Sequence, residues 1–266
     1  MSVGRHTLLL RLVGPMQAWG TDSRFGLRDT DGEPSRSGVT GLLCAALGWD
    51  RDAPTHEVAG RTLTLEDMAT WRFGVRVVQE GVRVRDFHTA GKAPEPGRAG
   101  FLRASGAVEK SDVIVTERFY LSDAAFIIGF EAADRAVLEA VLGALEQPVW
   151  PLSLGRKACL PALPLGMDVV DAPLAEALLH AADPGYGRLY GPRRLSEKEA
   201  PAPLPGGRIL LDADAPAVSL LAACYTLVRE VRRADVPRSF RPRHFDARQV
   251  RVYMPPASST SAPAVP

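Results

Sequence analysis

Arg36 stands between two serines, Ser35 and Ser37, directly ahead of a run in which Val39, Leu42, Leu43, Ala46 and Leu47 recur at helical spacing. A helix starting there would aim free backbone N–H groups, the positive end of its dipole and a guanidinium at one spot, which suits a phosphate. The same residues also read simply as helix caps beside a solvated arginine. A second cationic pair, Arg156 and Lys157, follows Gly155, whose missing side chain lets backbone approach a ligand; the bland alternative is an exposed basic turn. A third concentration lies at residues 229–251, where eight arginines stand against three acids, interleaved with Phe240, His244 and Phe245. Such a segment would grip phosphates with an affinity that falls with salt, or its charges would protect a strand edge from pairing.

Candidates for acid–base chemistry are sparser. His6, His56, His88, His180 and His244 are isolated in the sequence, and only His88 invites a general acid–base role, with Tyr120 or Lys110 as folding partners. A solvent-exposed or base-stacking histidine explains His88 better than a catalytic one. Paired carboxylates, metal-ligand spacing, a nucleophile elbow and a phosphate-binding glycine loop do not occur, and Asp29 and Asp31 lack the continuation of a calcium loop. Cys44, Cys159 and Cys224 are odd in number and widely spaced, which reads as buried small hydrophobes rather than disulfides or zinc ligands. No metal or cofactor is therefore expected.

With 266 residues, a net charge of +1 and a mean hydropathy near zero, composition indicates a soluble globular chain and announces no nucleic-acid binder. Of 32 basic residues 28 are arginine, which suits planar recognition of phosphates and bases but also follows from biased codon usage. No apolar run approaches the roughly 20 residues that span a bilayer, and the N-terminus lacks a signal-peptide core, so a cytoplasmic protein without a membrane partner is expected.

The elements that would position these groups follow from periodicity. Residues 8–13 read as a central strand ended by Gly14-Pro15, and the helix after Ser35 closes at Gly48. Thr64, Glu66 and Asp67 signal a short second helix. Residues 71–78 alternate as a half-buried strand with a basic face at Arg72 and Arg76. Residues 82–91 and 110–121 read as two strands of a projecting hairpin with its tip at 92–106. Residues 124–131 form an apolar central strand, followed by a helix capped by Asp134, a last strand within 160–170, and a short helix capped by Asp171. The order βαββαβ is that of an α+β, ferredoxin-like (RRM-like) domain over 1–184, with its β-hairpin thumb at about 80–116 and one sheet face open to RNA or a partner. Residues 185–207, rich in glycine and proline, read as a connection, 208–255 as a small β-rich C-terminal lobe whose residues 223–231 form a strand, and 256–266 as a disordered tail.

Four blocks, GPMQAWGTDSRFGLRDTDGEPSRSGVTGLLCAALG at 14–48, RFGVRV at 72–77, SLGRKACLPALPL at 153–165 and DVPRSFRPRHFDARQVRVY at 235–253, resemble in the same order the CasD family of type I-E CRISPR Cascade complexes, within the RAMP superfamily. The resemblance implies a non-catalytic RNA-binding subunit in antiviral defence that holds the 5′ handle of crRNA and caps the backbone filament. Its implied neighbours are a CasC-like backbone subunit and a CasA-like large subunit, with target DNA met indirectly through the complex. Carried over by position, the implied RNA-binding residues are Gln17, Trp19, Ser23, Arg24, Arg28, Ser35, Arg36, Ser37, Arg156 and Lys157, with His88 added. By their chemistry Arg24, Arg28, Arg36, Arg156 and Lys157 would pair with phosphates, the serines would bond phosphate or 2′-OH, and Gln17 would read a base edge. Trp19 either stacks on a base or packs in the core. Because related subunits of another subtype cleave precursor RNA, a metal-independent endoribonuclease is the rival reading, and a protein–protein adaptor without RNA contact is a third.

Overall fold

Leu8, Leu10 and Leu12 pack on one side of the first strand and Leu9 on the other, and all four are buried. A strand apolar on both sides must be covered on both. The computed structural model, which describes residues 5–20, 26–91, 101–102, 108–109, 113–182, 185, 207–216 and 218–256, achieves this with a seven-stranded sheet between two helical layers. In chain order the elements are β1 (His6–Val13), β2 (Met16–Gln17), β3 (Leu27–Arg28), α1 (Arg36–Leu47), β4 (Thr55–Val58), β5 (Arg61–Thr64), α2 (Leu65–Thr70) and β6 (Arg72–Gln79). There follow β7 (Val82–Gly91), β8 (Phe101–Leu102), β9 (Val108–Glu109), β10 (Val113–Ser122), β11 (Ala125–Ala132), α3 (Arg135–Glu146) and β12 (Gly166–Val170). The chain ends with α4 (Leu174–His180), β13 (Ile209–Asp212), α5 (Ser219–Cys224), β14 (Thr226–Phe240) and β15 (Arg243–Met254).

The large sheet has the order β12-β1-β11-β6-β13-β15-β14, antiparallel at every step. Helices α1 and α3 cover the Leu8, Leu10 and Leu12 face. Their ends are those read from the sequence: Ser35 accepts from the Gly38 N–H, Gly48 closes α1 in the left-handed conformation, and Asp134 caps α3. Helix α2 begins with a capping box between Thr64 and Asp67.

The opposite face is not open, contrary to expectation. Helices α4 and α5 lie on it, against Leu9 and Ile127. Gly74 pairs with Gly129 across the β6–β11 ladder, and a methyl at either would come within 2.7 Å of Leu178 or 2.5 Å of Leu174. These two glycines let α4 settle close enough to bury Leu174, Leu178 and Leu179, each worth about 1.5–3 kcal/mol. Arg76, expected on an exposed basic face, is buried under α4 and donates to the carbonyls of Leu178 at 2.7 Å and Ala181 at 3.0 Å. There it supplies the cation that a helix C-terminus favours. Asp171 does not cap α4 but pairs with His6 and Arg135, and the Leu174 N–H instead donates to Glu131 Oε2 at 2.7 Å.

The C-terminal strands form no lobe of their own. β13 pairs with β6, and β15 and β14 continue the same sheet beyond it, which satisfies a β6 edge that would otherwise face water. β14 begins at Thr226, after the short α5. The final strand of the predicted βαββαβ series starts only at Gly166, because Pro151, Pro161 and Pro164 hold residues 148–165 in turns. The hairpin is as expected, β7 pairing with β10 from Val82↔Ser122 to Gly91↔Val113, and β10 also pairs with β2 and β3 in a separate four-stranded sheet. Most of the hairpin tip, residues 186–206 of the connection and the tail after residue 256 lie outside the described residues.

A buried charge quartet ties the two ends of the chain together. Arg36 donates to Asp212 Oδ2 at 3.2 Å and to the carbonyls of Met68, Ala69 and Trp71 at 3.0, 3.0 and 2.6 Å, closing the end of α2. Its backbone N–H donates to Asp235 Oδ2 at 2.8 Å. Arg248 bridges Asp235 at 2.7 Å and Asp212 at 2.5 Å and lies 5.0 Å over the Phe73 ring. Burial alone would raise the Asp235 carboxyl, but the Arg248 hydrogen bond and charge, the Arg36 N–H and Arg233 outweigh it and hold it below its ordinary 3.8. A carboxylate depressed in the fold contributes stability above its unfolded value and loses it as pH falls through the folded one. Thermal stability is therefore expected to fall as pH drops below about 4, and Asp235→Asn to flatten that slope while lowering stability at neutral pH; an unchanged acid slope in Asp235→Asn would count against this assignment.

Candidate nucleic-acid interface

The register of the smaller sheet decides which residues share a face, since ladder partners point the same way. Row by row, Arg28 on β3 stands beside Arg118 on β10, and Arg118 beside Asp86 on β7; one step along, Thr116 stands beside His88. Tyr120 is on the same face, and the Arg156 guanidinium lies 4.6 Å over its ring. The other face carries Leu27, Glu117 and Phe87 in one row, with Val115 beside them.

Two arginines side by side repel each other unless an anion sits between them. Arg28 is exposed, and no acid pairs with it among the described residues. Arg118 Nε donates to Thr116 Oγ1 at 3.2 Å, and Asp86 lies 3.8 Å from His88 Nδ1. Lys157 is exposed beside Arg156 in the chain. The cationic row on this face is the arrangement best suited to a phosphate backbone. Sequence reading missed Arg118. The alternation of Thr116, Arg118 and Tyr120 would have placed it on the face of His88 once the hairpin register was known.

Arg156 is a positioning residue rather than a free cation. Its guanidinium donates to the carbonyls of Phe119 at 2.9 Å, Arg28 at 2.7 Å and Asp29 at 3.2 Å, and so pins β3 to the base of the hairpin. Gly155 makes this possible: its φ is +89°, and a Cβ there would fall 1.7 Å from the Ala18 carbonyl oxygen.

Several expected contacts are corrected by burial. Arg36 is 3 % exposed and committed to the quartet, and Asp235 occupies the N-terminus of α1 where a phosphate was expected. Gln17 is fully buried and donates to the carbonyls of Leu12 at 3.0 Å and Ala124 at 2.8 Å, while its oxygen accepts from Trp19 Nε1 at 3.0 Å. It therefore locks the turn after β1 and has no group left to read a base. Trp19 is a core residue, and Ser35 is a buried cap; Ser37 is half-buried in the first turn of α1. Ser23 and Arg24 lie outside the described residues.

His88 and Tyr120 do not come together, since Tyr120 pairs with Val84, four ladder positions from His88, and is buried beneath Arg156. Lys110 lies outside the described residues. Several arginines of 229–251 are paired within the chain: Arg238 with Asp246, Arg251 with Glu230, Arg233 with Glu33, and Arg241 with Asp52. Cys44 and Cys159 are buried free thiols, and burial pushes the Cys44 thiol up to about 12. Among the described residues no helix is long and apolar enough to cross a membrane, and no group of His, Cys, Asp and Glu is placed to hold a metal.

Comparison with known proteins gives this geometry a context. The CRISPR system Cascade subunit CasD of Escherichia coli (strain K12) is 32% identical over 197 residues, which cover 70% of this chain and 81% of that protein. A solved CRISPR RNA-guided surveillance complex contains a chain that matches with a TM-score of 0.58 and 32% identity over 94% of this chain and 91% of its own. A crystal structure of a Cas protein matches with a TM-score of 0.56 and 34% identity over 94% and 95%. The model of the family described as CRISPR-associated protein (Cas_Cas5) matches residues 7–251, from the start of β1 to the last strand of the sheet, and the chain belongs to that family.

Proposed function

We propose that this chain is the non-catalytic, cytoplasmic subunit of a type I-E Cascade surveillance complex that holds the 5′ handle of crRNA and caps the backbone filament in antiviral defence. The observation that carries the reading is the row of Arg28 and Arg118 on one face of the hairpin sheet, held by Arg156, with Lys157 and His88 nearby in chain and ladder. Phosphates of the handle lie along this face, and Arg156 acts through the strands it pins. The other face, where Phe87, Leu27 and Val115 are exposed while Arg85 pairs with Glu117 and Arg83 with Asp29, meets a CasC-like backbone subunit. A CasA-like large subunit and, through the complex, target DNA complete the partners. The strands β12, β1, β11 and β6 with α1 and α3 are read as the ferredoxin-like unit, and β7–β10 as its thumb. Burial of Tyr120 beneath Arg156, four ladder positions from His88, argues against the endoribonuclease reading, because it keeps from His88 the phenol expected as its partner.

The test mixes the purified chain, without metal, with end-labelled precursor and with mature 5′-tagged RNA across a salt series. Tag-dependent retention without cleavage is expected. Arg28→Ala with Arg118→Ala is expected to weaken retention about ten- to hundredfold and to reduce the salt slope by about 0.7 per lost phosphate contact, with thermal stability unchanged. Cleavage abolished by His88→Ala but not by chelator would put the nuclease reading first. Salt-independent assembly with no RNA retained would favour the adaptor.

A further inference from the structure

One acid stands in the cationic row. Asp86 on β7 is the ladder partner of Arg118, itself the partner of Arg28, so the order across β3, β10 and β7 is cation, cation, carboxylate. Arg118 does not neutralise it, since its Nε donates instead to Thr116 Oγ1 at 3.2 Å. The Asp86 side chain is 51% exposed, and among the described residues its one ionic contact is His88 Nδ1 at 3.8 Å, too long for a hydrogen bond. A carboxylate so placed repels the phosphates that Arg28 and Arg118 attract, and once RNA covers the face its two oxygens need donors in place of water. The RNA group that meets it is therefore a hydrogen-bond donor and not a phosphate. Val84 and His88, two residues before and after Asp86, share its face of β7 and are partly exposed, at 37% and 41%. They offer a base ring an apolar wall on one side and an imidazole on the other.

Bases differ in what they present to two carboxylate oxygens. The Watson–Crick edge of guanine has two adjacent N–H donors, one for each oxygen, whereas adenine and cytosine have a single amine beside an acceptor nitrogen. In uracil one N–H lies between two carbonyls that a carboxylate repels. We infer that Asp86 selects guanine at one position of the 5′ tag, accepting from its N1–H and its N2 amine, while neighbouring phosphates lie on Arg28 and Arg118. This assignment rests on the proposed RNA face, where the arginines position the strand and Asp86 specifies it.

Retention of 5′-tagged RNA by the full chain, with each tag nucleotide replaced in turn by the other three bases, tests it. At one position guanine is expected to be retained about tenfold better than adenine or cytosine, and better still than uracil. Asp86→Asn should bring the four bases at that position within about twofold of one another, since an amide offers one acceptor and one donor group in place of two acceptors. Thermal stability and the preferences at other positions should stay as they are. Inosine at that position, which keeps N1–H but lacks the N2 amine, should fall between guanine and uracil in the wild type, and 2′-deoxyguanosine should match guanosine. A gain in retention of every tag alike in Asp86→Asn would make Asp86 a repulsive charge only. Loss on 2′-deoxy substitution that disappears in Asp86→Asn would assign it to a ribose hydroxyl, and base preferences unchanged in Asp86→Asn would assign the reading to other residues. Each of these overturns the inference and leaves the proposed function standing, because tagged RNA is still held. Failure of the wild-type chain to retain tagged RNA at all would overturn both together.

Discussion

Arg36→Ala is expected to lower the unfolding free energy by about 3–5 kcal/mol, the usual cost of removing one partner from a buried ion pair. The truncation leaves the Asp212 carboxylate with Arg248 and the Phe73 N–H as its remaining partners, and leaves the carbonyls of Met68, Ala69 and Trp71 without their common donor. Burial presses the Arg36 guanidinium below its ordinary range, opposed by the Asp212 charge, yet a guanidinium stays protonated at any pH the fold survives. Arg36→Lys keeps the charge but cannot reach three carbonyls with one planar fork, so it should recover only part of the loss. Urea unfolding of the three proteins measures this directly. RNA retention by whatever fraction of Arg36→Ala remains folded should keep the wild-type salt slope, because the side chain meets no phosphate. A wild-type urea midpoint with a reduced salt slope would instead return Arg36 to the RNA surface.

Gly155→Ala is expected to have the next largest effect, and to act on binding as well as on folding. The positive φ alone costs a residue with a side chain about 1–3 kcal/mol. The new methyl must also avoid the Ala18 carbonyl, which is backbone and tied nearby, the Ala18 N–H donating to the Leu154 carbonyl at 3.1 Å. The loop can escape only by moving, and Arg156 moves with it, releasing β3 from the base of the hairpin. Loss of thermal stability together with loss of tagged-RNA retention is expected, in contrast to Arg28→Ala with Arg118→Ala, where retention falls alone. A variant with both properties intact would mean that the loop has a second conformation able to hold Arg156.

The parts of the fold legible in the sequence are those whose signal lies within one element. The alternation of β6, the apolar run of β11, the spacing of α1 and α3 and the caps at Ser35, Thr64 and Asp134 all report on neighbours a few residues away. What was missed depends on partners far along the chain. Arg76 reads as surface because its carbonyl partners come from α4, about 100 residues later. The N-terminus of α1 reads as a phosphate site because nothing local reveals that Asp235 fills it. Gln17 and Trp19 carry the family pattern for a packing reason, a buried side-chain pair that locks a turn. Two signals were present and could have been weighed: Leu9 and Ile127 put apolar groups on the face expected to be open, and glycines within β6 and β11 mark a close approach. The cationic row could not have been found this way, since Arg28 and Arg118 meet only through a parallel pairing between strands far apart in sequence.

The charge quartet also bears on how the chain is made. Asp235 lies 199 residues beyond the Arg36 N–H it receives, and Asp212 lies 176 beyond the guanidinium. While the ribosome is still upstream of β13, the nascent chain holds Arg36 without either carboxylate and β6 with a bare edge, at the stage when such edges recruit other chains. Sealing of the start of the first helix thus waits for β13 and β14 to leave the exit tunnel.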